Sequence, residues 1–147
     1  MNQVHPATIK DIPQLCELLS ILFTLETDFH PDKAKQSDAL REIIENPNLG
    51  RILVLREGET IVGMVNLLFT ISTACGGKVA ILEDMIIHPL RQGDGLGSKL
   101  LSSALDFAMN QGCHRITLLT DRANVSAIRF YERHGFGISG MIPLRFP

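Results

Sequence analysis

Apolar positions along the chain first follow a helical spacing, then a strand spacing, and then alternate between the two. After a short β-prone opening, "QVHPATIK", the stretch "DIPQLCELLSILF" places apolar residues at 12, 15, 18, 19, 22 and 23. That spacing predicts a helix, with Asp11 as its cap and Pro13 in its first turn. A second, more polar helix is predicted over "DKAKQSDALREIIENP", turning Leu40, Ile43 and Ile44 inward and stopped by Pro47. The period then changes. "RILVLREGETIVGMVNLLFTIS" reads as two strands joined by a tight turn around Glu57-Gly58-Glu59. "TACGGK" is a further turn, and "VAILEDMIIHP" is apolar almost throughout, as expected of a strand covered on both faces.

A glycine-rich loop follows that strand directly, and then the helical stripe returns. "LGSKLLSSALDFAMNQG" is apolar at 96, 100, 101, 104, 105 and 108 and ends at Gly112. "HRITLLT" is a predicted strand, "NVSAIRFYERHG" a helix opened by Asn124 and closed by Gly135, and "FGISGMIPLRF" a last strand. The order is β-α-α-β-β-β-α-β-α-β. The unit at 79–120 calls for a crossover between parallel neighbours, while the hairpins before it make the other pairings antiparallel. The expected class is α/β of the α+β type: a mixed, mostly antiparallel central sheet with helices on both faces. Residues 1–147 form one domain, with no repeat and no interdomain linker.

Composition narrows the function. The net charge of −2 lacks the broad basic face that nucleic acid requires. No run approaches the roughly 20 apolar residues of a membrane span, and "MNQVHPATIK" carries no visible signal peptide. Cys16, Cys75 and Cys113 are far apart and odd in number, which suits a reducing, cytoplasmic setting and argues against disulfides or a zinc site. The histidines are equally scattered, so no metal is expected.

The chemistry concentrates at "RQGDGLGSKLL". Two phosphate-binding fingerprints fail there. The dinucleotide pattern G-x-G-x-x-G meets Ser98 in place of its last glycine, and the triphosphate pattern meets Ser98 where a glycine should precede Lys99. The physics common to both patterns survives. Backbone amides at a helix start, freed of side chains by glycine, can wrap an anion. A plain turn before a helix is the bland alternative.

"VAILEDMIIHPLRQGDGLGSKLL", followed by "NVSAIRFYERHGF", resembles the GNAT superfamily of acetyl-CoA-dependent N-acetyltransferases. Its loop pattern, Gln/Arg-x-x-Gly-x-Gly/Ala, is matched by Gln92-Gly93-Asp94-Gly95-Leu96-Gly97. Its second signature is matched by Asn124, Ala127, Phe130-Tyr131 and Gly135-Phe136. The resemblance covers essentially the whole chain and implies a sheet of six or seven strands with a splayed, parallel central pair, the seventh strand being absent or short here. It implies acetyl-CoA as co-substrate, its pantetheine arm pairing with the backbone of Met85, Ile86 and Ile87 and its pyrophosphate held by the amides from Gly93 to Ser98. It also implies that Asn124 contacts the cofactor near the pantetheine and that Tyr131 lies beside the thioester sulfur. The acceptor would be a small-molecule or peptide amine. Family members are often dimers, so a homodimer fits the resemblance.

Acetyl transfer to an amine benefits from a base, because an alkyl ammonium with a pKa of about 10 is mostly protonated at pH 7. Glu83 and Asp84 are the only acids in the apolar strand. Strand alternation sends them to opposite faces unless a bulge intervenes, so either could be the base and the other a buried, satisfied acid; Glu83 is slightly favoured. Tyr131, the chain's only tyrosine, is either the acid for the leaving thiolate or a core aromatic beside Phe130. Asn124 reads equally as an N-cap, and Arg91 as a salt-bridge partner or a phosphate contact. His88 reads as a strand-end polar residue. Asp28 and His30 stand where the family walls its acceptor pocket, though loop polar pairs are more often simply exposed. The competing readings are a coenzyme A-binding regulatory module without turnover and, further off, a nucleotide-binding protein.

Overall fold

The computed structural model describes residues 2–26 and 30–147. Five strands form one sheet in the order β1 (Asn2–Pro6), β2 (Gly50–Glu57), β3 (Thr60–Ser72), β4 (Gly77–Ile87) and β5 (Ile116–Leu118). The first three pairings are antiparallel and the last, β4 with β5, is parallel. Among the described residues four α-helices accompany the sheet: α1 (Ile12–Leu25), α2 (Lys33–Glu45), α3 (Leu96–Asn110) and α4 (Val125–Arg133). Among the described residues, no helix is long and apolar enough to cross a membrane.

The sheet separates two cores, and strand alternation assigns residues to them. Val65 and Leu67 of β3 pack toward one core with Leu100, Leu101, Ala104 and Ala108 of α3, with Phe130 and Tyr131 of α4 at its margin. Met64 of β3 packs toward the other with Ile12, Leu15, Leu18 and Leu19 of α1 and Leu40 of α2. The helical stripes therefore cover the two faces as the periodicity requires. Ile43 and Ile44 join the second core partly buried.

Three features depart from the sequence reading. Asp11 does not cap α1 with its side chain. Its carboxylate instead accepts from the Thr8 amide at 2.8 Å and from Arg56 Nη2 at 2.6 Å. A short 3₁₀ turn over Ile9–Asp11 intervenes, and the buried acid ties the start of α1 to β2.

The sheet has five strands, not six or seven, because "FGISGMIPLRF" forms no strand. A strand needs a partner for its amides and carbonyls. Here β5 is only three residues long and offers little edge to pair with, and Leu119 and residues 143–146 line a cleft of about 510 Å³. Ile138, Met141, Ile142, Leu144 and Phe146 consequently stay exposed.

The parallel pair also stands at the sheet's edge and not at its centre, since β5 is the last strand of the five.

Candidate functional site

The two neighbours of β4 treat it differently. On one side β3 is in register with it from Ser72↔Gly77 to Gly63↔Ile87. On the other, β5 pairs only Ala80, Ile81 and Leu82. From Glu83 to Ile87 the β5-facing backbone of β4 therefore has no strand beside it among the described residues. Ile86 and Ile87 are buried, in different cores, and Met85 is partly buried, so these side chains anchor the strand while its edge stays open. An open edge of this kind offers alternating donors and acceptors to an extended ligand.

That edge runs directly into the glycine loop. A 3₁₀ turn over Pro89–Arg91 follows β4, and Gln92 Nε2 donates back to the Ile87 carbonyl at 3.2 Å, so the Gln92 side chain braces the loop against the strand end. Gly93 and Gly95 have φ of 96° and 75°, left-handed values that side chains disfavour. A Cβ at either would meet nothing within 4 Å, so glycine is kept there for backbone shape and not for lack of room. The first i→i−4 bond of α3 runs from the Lys99 amide to the Gly95 carbonyl. The amides before it, from Gly95 through Leu96 and Gly97 to Ser98, are the unpaired donors of a helix start. Gly97 also serves packing: a Cβ there would stand 3.5 Å from Phe130.

Arg91 is a salt-bridge partner. Its Nε and Nη2 donate to the two carboxylate oxygens of Glu57 at 2.7 and 2.6 Å, and Nη1 reaches Asp94 at 2.6 Å. The guanidinium holds Glu57 below the usual carboxylate range. It also pairs the one acid inside the glycine loop, lessening its repulsion of an incoming anion.

Glu83 and Asp84 are brought together by a bulge. The β3–β4 register shifts between Met64 and Asn66, and Asp84 adopts φ 53°, unusual for any residue but glycine and tolerated best by Asn and Asp. Glu83 stands opposite Asn66 in the register, and Asn66 Nδ2 donates to Asp84 Oδ2 at 3.4 Å. Asp84 thus meets the Asn66 side chain, and Glu83 lies across from the same residue on the neighbouring strand. Burial raises the pKa of Glu83, and the charge of Asp84 adds to it. Burial also raises that of Asp84, against a smaller lowering by Asn66. Glu83 is the more exposed of the two.

Asn66 was not anticipated. It is 3% exposed, and it is the single polar residue in the apolar run "IVGMVNLLF". That interruption was the available signal.

Tyr131 is partly buried against the α3-side core, edge-on to Phe130 and Phe136 with ring centroids 5.3 and 5.7 Å away. Its hydroxyl makes no hydrogen bond to the described residues, and burial raises its pKa. Asn124 is the N-cap of α4, its side chain accepting from the Ala127 amide at 3.1 Å. His88 closes β4, its Nδ1 accepting from the Leu90 amide. His30 is exposed, and Asp28 lies outside the described residues.

The family model described as "Acetyltransferase (GNAT) family" matches residues 12–136. An uncharacterized N-acetyltransferase of Bacillus subtilis, YhfO, is 33% identical over 85 residues, 58% of this chain and 57% of its own length. An aminoalkylphosphonate N-acetyltransferase of Salmonella typhimurium is 27% identical over 134 residues, covering 91% of this chain and 84% of that one. Among solved structures, a predicted acetyltransferase from Clostridium acetobutylicum with acetyl-CoA superposes with a TM-score of 0.80 at 18% identity. That match covers 99% of this chain and 96% of the other.

Proposed function

The chain belongs to the acetyltransferase (GNAT) family, and from that premise we propose that it moves an acetyl group from acetyl-CoA to the primary amine of a small molecule or peptide, by direct attack in a ternary complex. The observation that carries this reading is the one-sided pairing of β4: an open edge at residues 83–87 leading straight into amides at the start of α3. The pantetheine arm pairs with the backbone of Met85, Ile86 and Ile87. The pyrophosphate lies on the amides from Gly93 to Ser98, favoured by the helix dipole. Gln92 and Asp94 serve that loop indirectly, as a brace and as a partner of Arg91. Asn124 holds the start of α4 and thereby the position of Tyr131 two turns on.

In the transfer step the amine nitrogen attacks the thioester carbonyl, the C–N bond forms and the C–S bond breaks. Tyr131 gives its phenolic proton to the departing thiolate. The proton lost by the amine goes to Glu83. Two carboxyls this close hold one proton between them more readily than none, and Glu83, the exposed member, is the base. Burial moves its proton affinity upward, toward the range where a base is useful at neutral pH.

Thiol release measured across polyamines, aminoglycosides, amino acids and peptide N-termini, alongside calorimetry with acetyl-CoA, ATP and NAD, tests the reading. Acetyl-CoA should bind in preference to both nucleotides, and at least one amine class should release thiol. Acetyl-CoA binding without turnover on any amine would favour a coenzyme A-binding module, and preference for ATP or NAD would overturn the loop assignment.

A further inference from the structure

Asn66 leaves a specific accounting problem. Its side chain is buried, its Oδ1 has no hydrogen-bond partner, and its Nδ2 reaches Asp84 only at 3.4 Å. An ionised carboxylate draws an N–H donor to roughly 2.7–2.9 Å when it is charge-assisted. A buried amide oxygen without a donor costs about 1–3 kcal/mol. The pair lacks one donor, and a proton on Asp84 would supply it.

We propose that Asp84 is held as the neutral acid in the resting enzyme, its O–H donating to Asn66 Oδ1 while Asn66 Nδ2 donates to the other carboxyl oxygen. The two side chains then close an acid–amide ring with two hydrogen bonds, reached from the present contact by side-chain rotation. No atom of the pair is left unpaired in that ring. Asn66 thereby becomes a positioning residue: it keeps the shared proton on the inner carboxyl and leaves the outer one, Glu83, ionised to receive the amine's proton.

The surroundings favour the neutral form. On the same strand the adjacent titratable group is Glu83, a second acid and no counter-charge. β3 contributes Asn66, and the faces of α1 and α2 on this side of the sheet present Ile12, Leu15, Cys16, Leu18, Leu19, Gln36 and Leu40. β5 carries no titratable side chain, and α4 contributes Tyr131, on the other core. Among the described residues no cation pairs with Asp84. Burial pushes its carboxyl pKa up, in the same direction as the geometry.

The inference rests on Glu83 as the base, so its primary test does not use activity. In the full-length protein labelled with ¹³C and ¹⁵N at Asp and Asn, the Asp84 carboxyl resonance is identified by its absence from Asp84→Asn. It should titrate above the ordinary Asp value of about 3.9, with the Asn66 side-chain resonances moving at the same midpoint. Titration at an ordinary value, or Asn66 resonances that do not follow Asp84, would overturn the ring. As a second arm, Asp84→Asn keeps a two-bonded amide pair and should slow transfer by no more than about tenfold, while Glu83→Gln loses roughly 10²-fold. Equal losses in the two variants would count against a neutral Asp84. Coupled, elevated titration together with a fully active Glu83→Gln would uphold the ring and remove Glu83 as the base.

Discussion

The β3 and β5 sides of β4 differ in what they leave unpaired. On the β3 side the ladder continues past the bulge to Gly63↔Ile87, and Met64, Val65 and Leu67 are fully buried. On the β5 side three residues pair, and the elements beyond them bury little: α4 has no fully buried residue, and most apolar side chains after Gly137 are exposed. The first side holds the fold together. The second leaves backbone groups and a glycine loop open, which a co-substrate can complete. Stability and chemistry are thereby assigned to opposite edges of a single strand.

The largest expected effect lies on the closed side. Leu67→Ala removes a fully buried side chain and should cost about 2–5 kcal/mol of unfolding free energy by chemical denaturation. Acetyl-CoA affinity of the molecules that remain folded should be unchanged. A variant that loses affinity but not stability would break the division.

Gly95→Glu probes the open side. It places a side chain and a negative charge at a left-handed position in an exposed loop. Calorimetry should show acetyl-CoA affinity falling by at least about 10²-fold, or ~2.7 kcal/mol, while the strain of about 1–2 kcal/mol at that φ moves the melting temperature by only a few degrees. Unchanged affinity would remove the loop from the cofactor site.

Tyr131→Phe divides function from packing at one residue. The ring stays against Phe130 and Phe136, so stability should change by less than about 1.5 kcal/mol. The single-turnover rate should fall roughly 10²-fold, at the low end for general acid assistance. A variant that melts early yet turns over normally would make Tyr131 a core aromatic only.

The smallest effect sharpens the closed side by its pH response. Burial pushes the Asp11 pKa up, but the Thr8 amide and Arg56 outweigh it and the net shift is downward. A depressed carboxylate contributes stability that is present above its unfolded pKa, about 3.9, and is lost as pH falls through the folded value. Arg56→Met should therefore cost about 1–2 kcal/mol at pH 7 in denaturant titrations, and the difference from the parent should shrink below pH 4. A cost that persists undiminished in acid would point to lost packing by the Arg56 stem.

Much of this division could be read from the chain. Alternation and helical stripes located the four helices and five strands, and the glycines at 93, 95 and 97 marked the loop. The last strand misled because "FGISGMIPLRF" carries enough apolar residues to read as one, and a segment's own residues cannot show whether a partner edge is long enough to pair with it. The acids were found by type. Their meeting around Asn66 was not, because it depends on a register shift of one residue between strands separated in sequence by a turn. A salt bridge by Arg91 could be read from the sequence, but its partners Glu57 and Asp94, and the bracing by Gln92, could not, since those contacts join the loop to β4 and to the β2–β3 hairpin.

The extra residue at Asp84 also changes how β4 counts. Leu82 and Ile86 are separated by four positions, an even number, yet they lie in opposite cores; Leu82 and Ile87, five apart, share one. The strand crosses from one parity to the other inside the site. Deleting a single residue between Glu83 and Ile86 would restore simple alternation: Leu82 would stand three positions from Ile86 and four from Ile87, and each would keep its present core. Neither core therefore requires the extra residue. What the extra residue supplies is local: the register shift and the positive φ of Asp84 that set its carboxyl against Asn66.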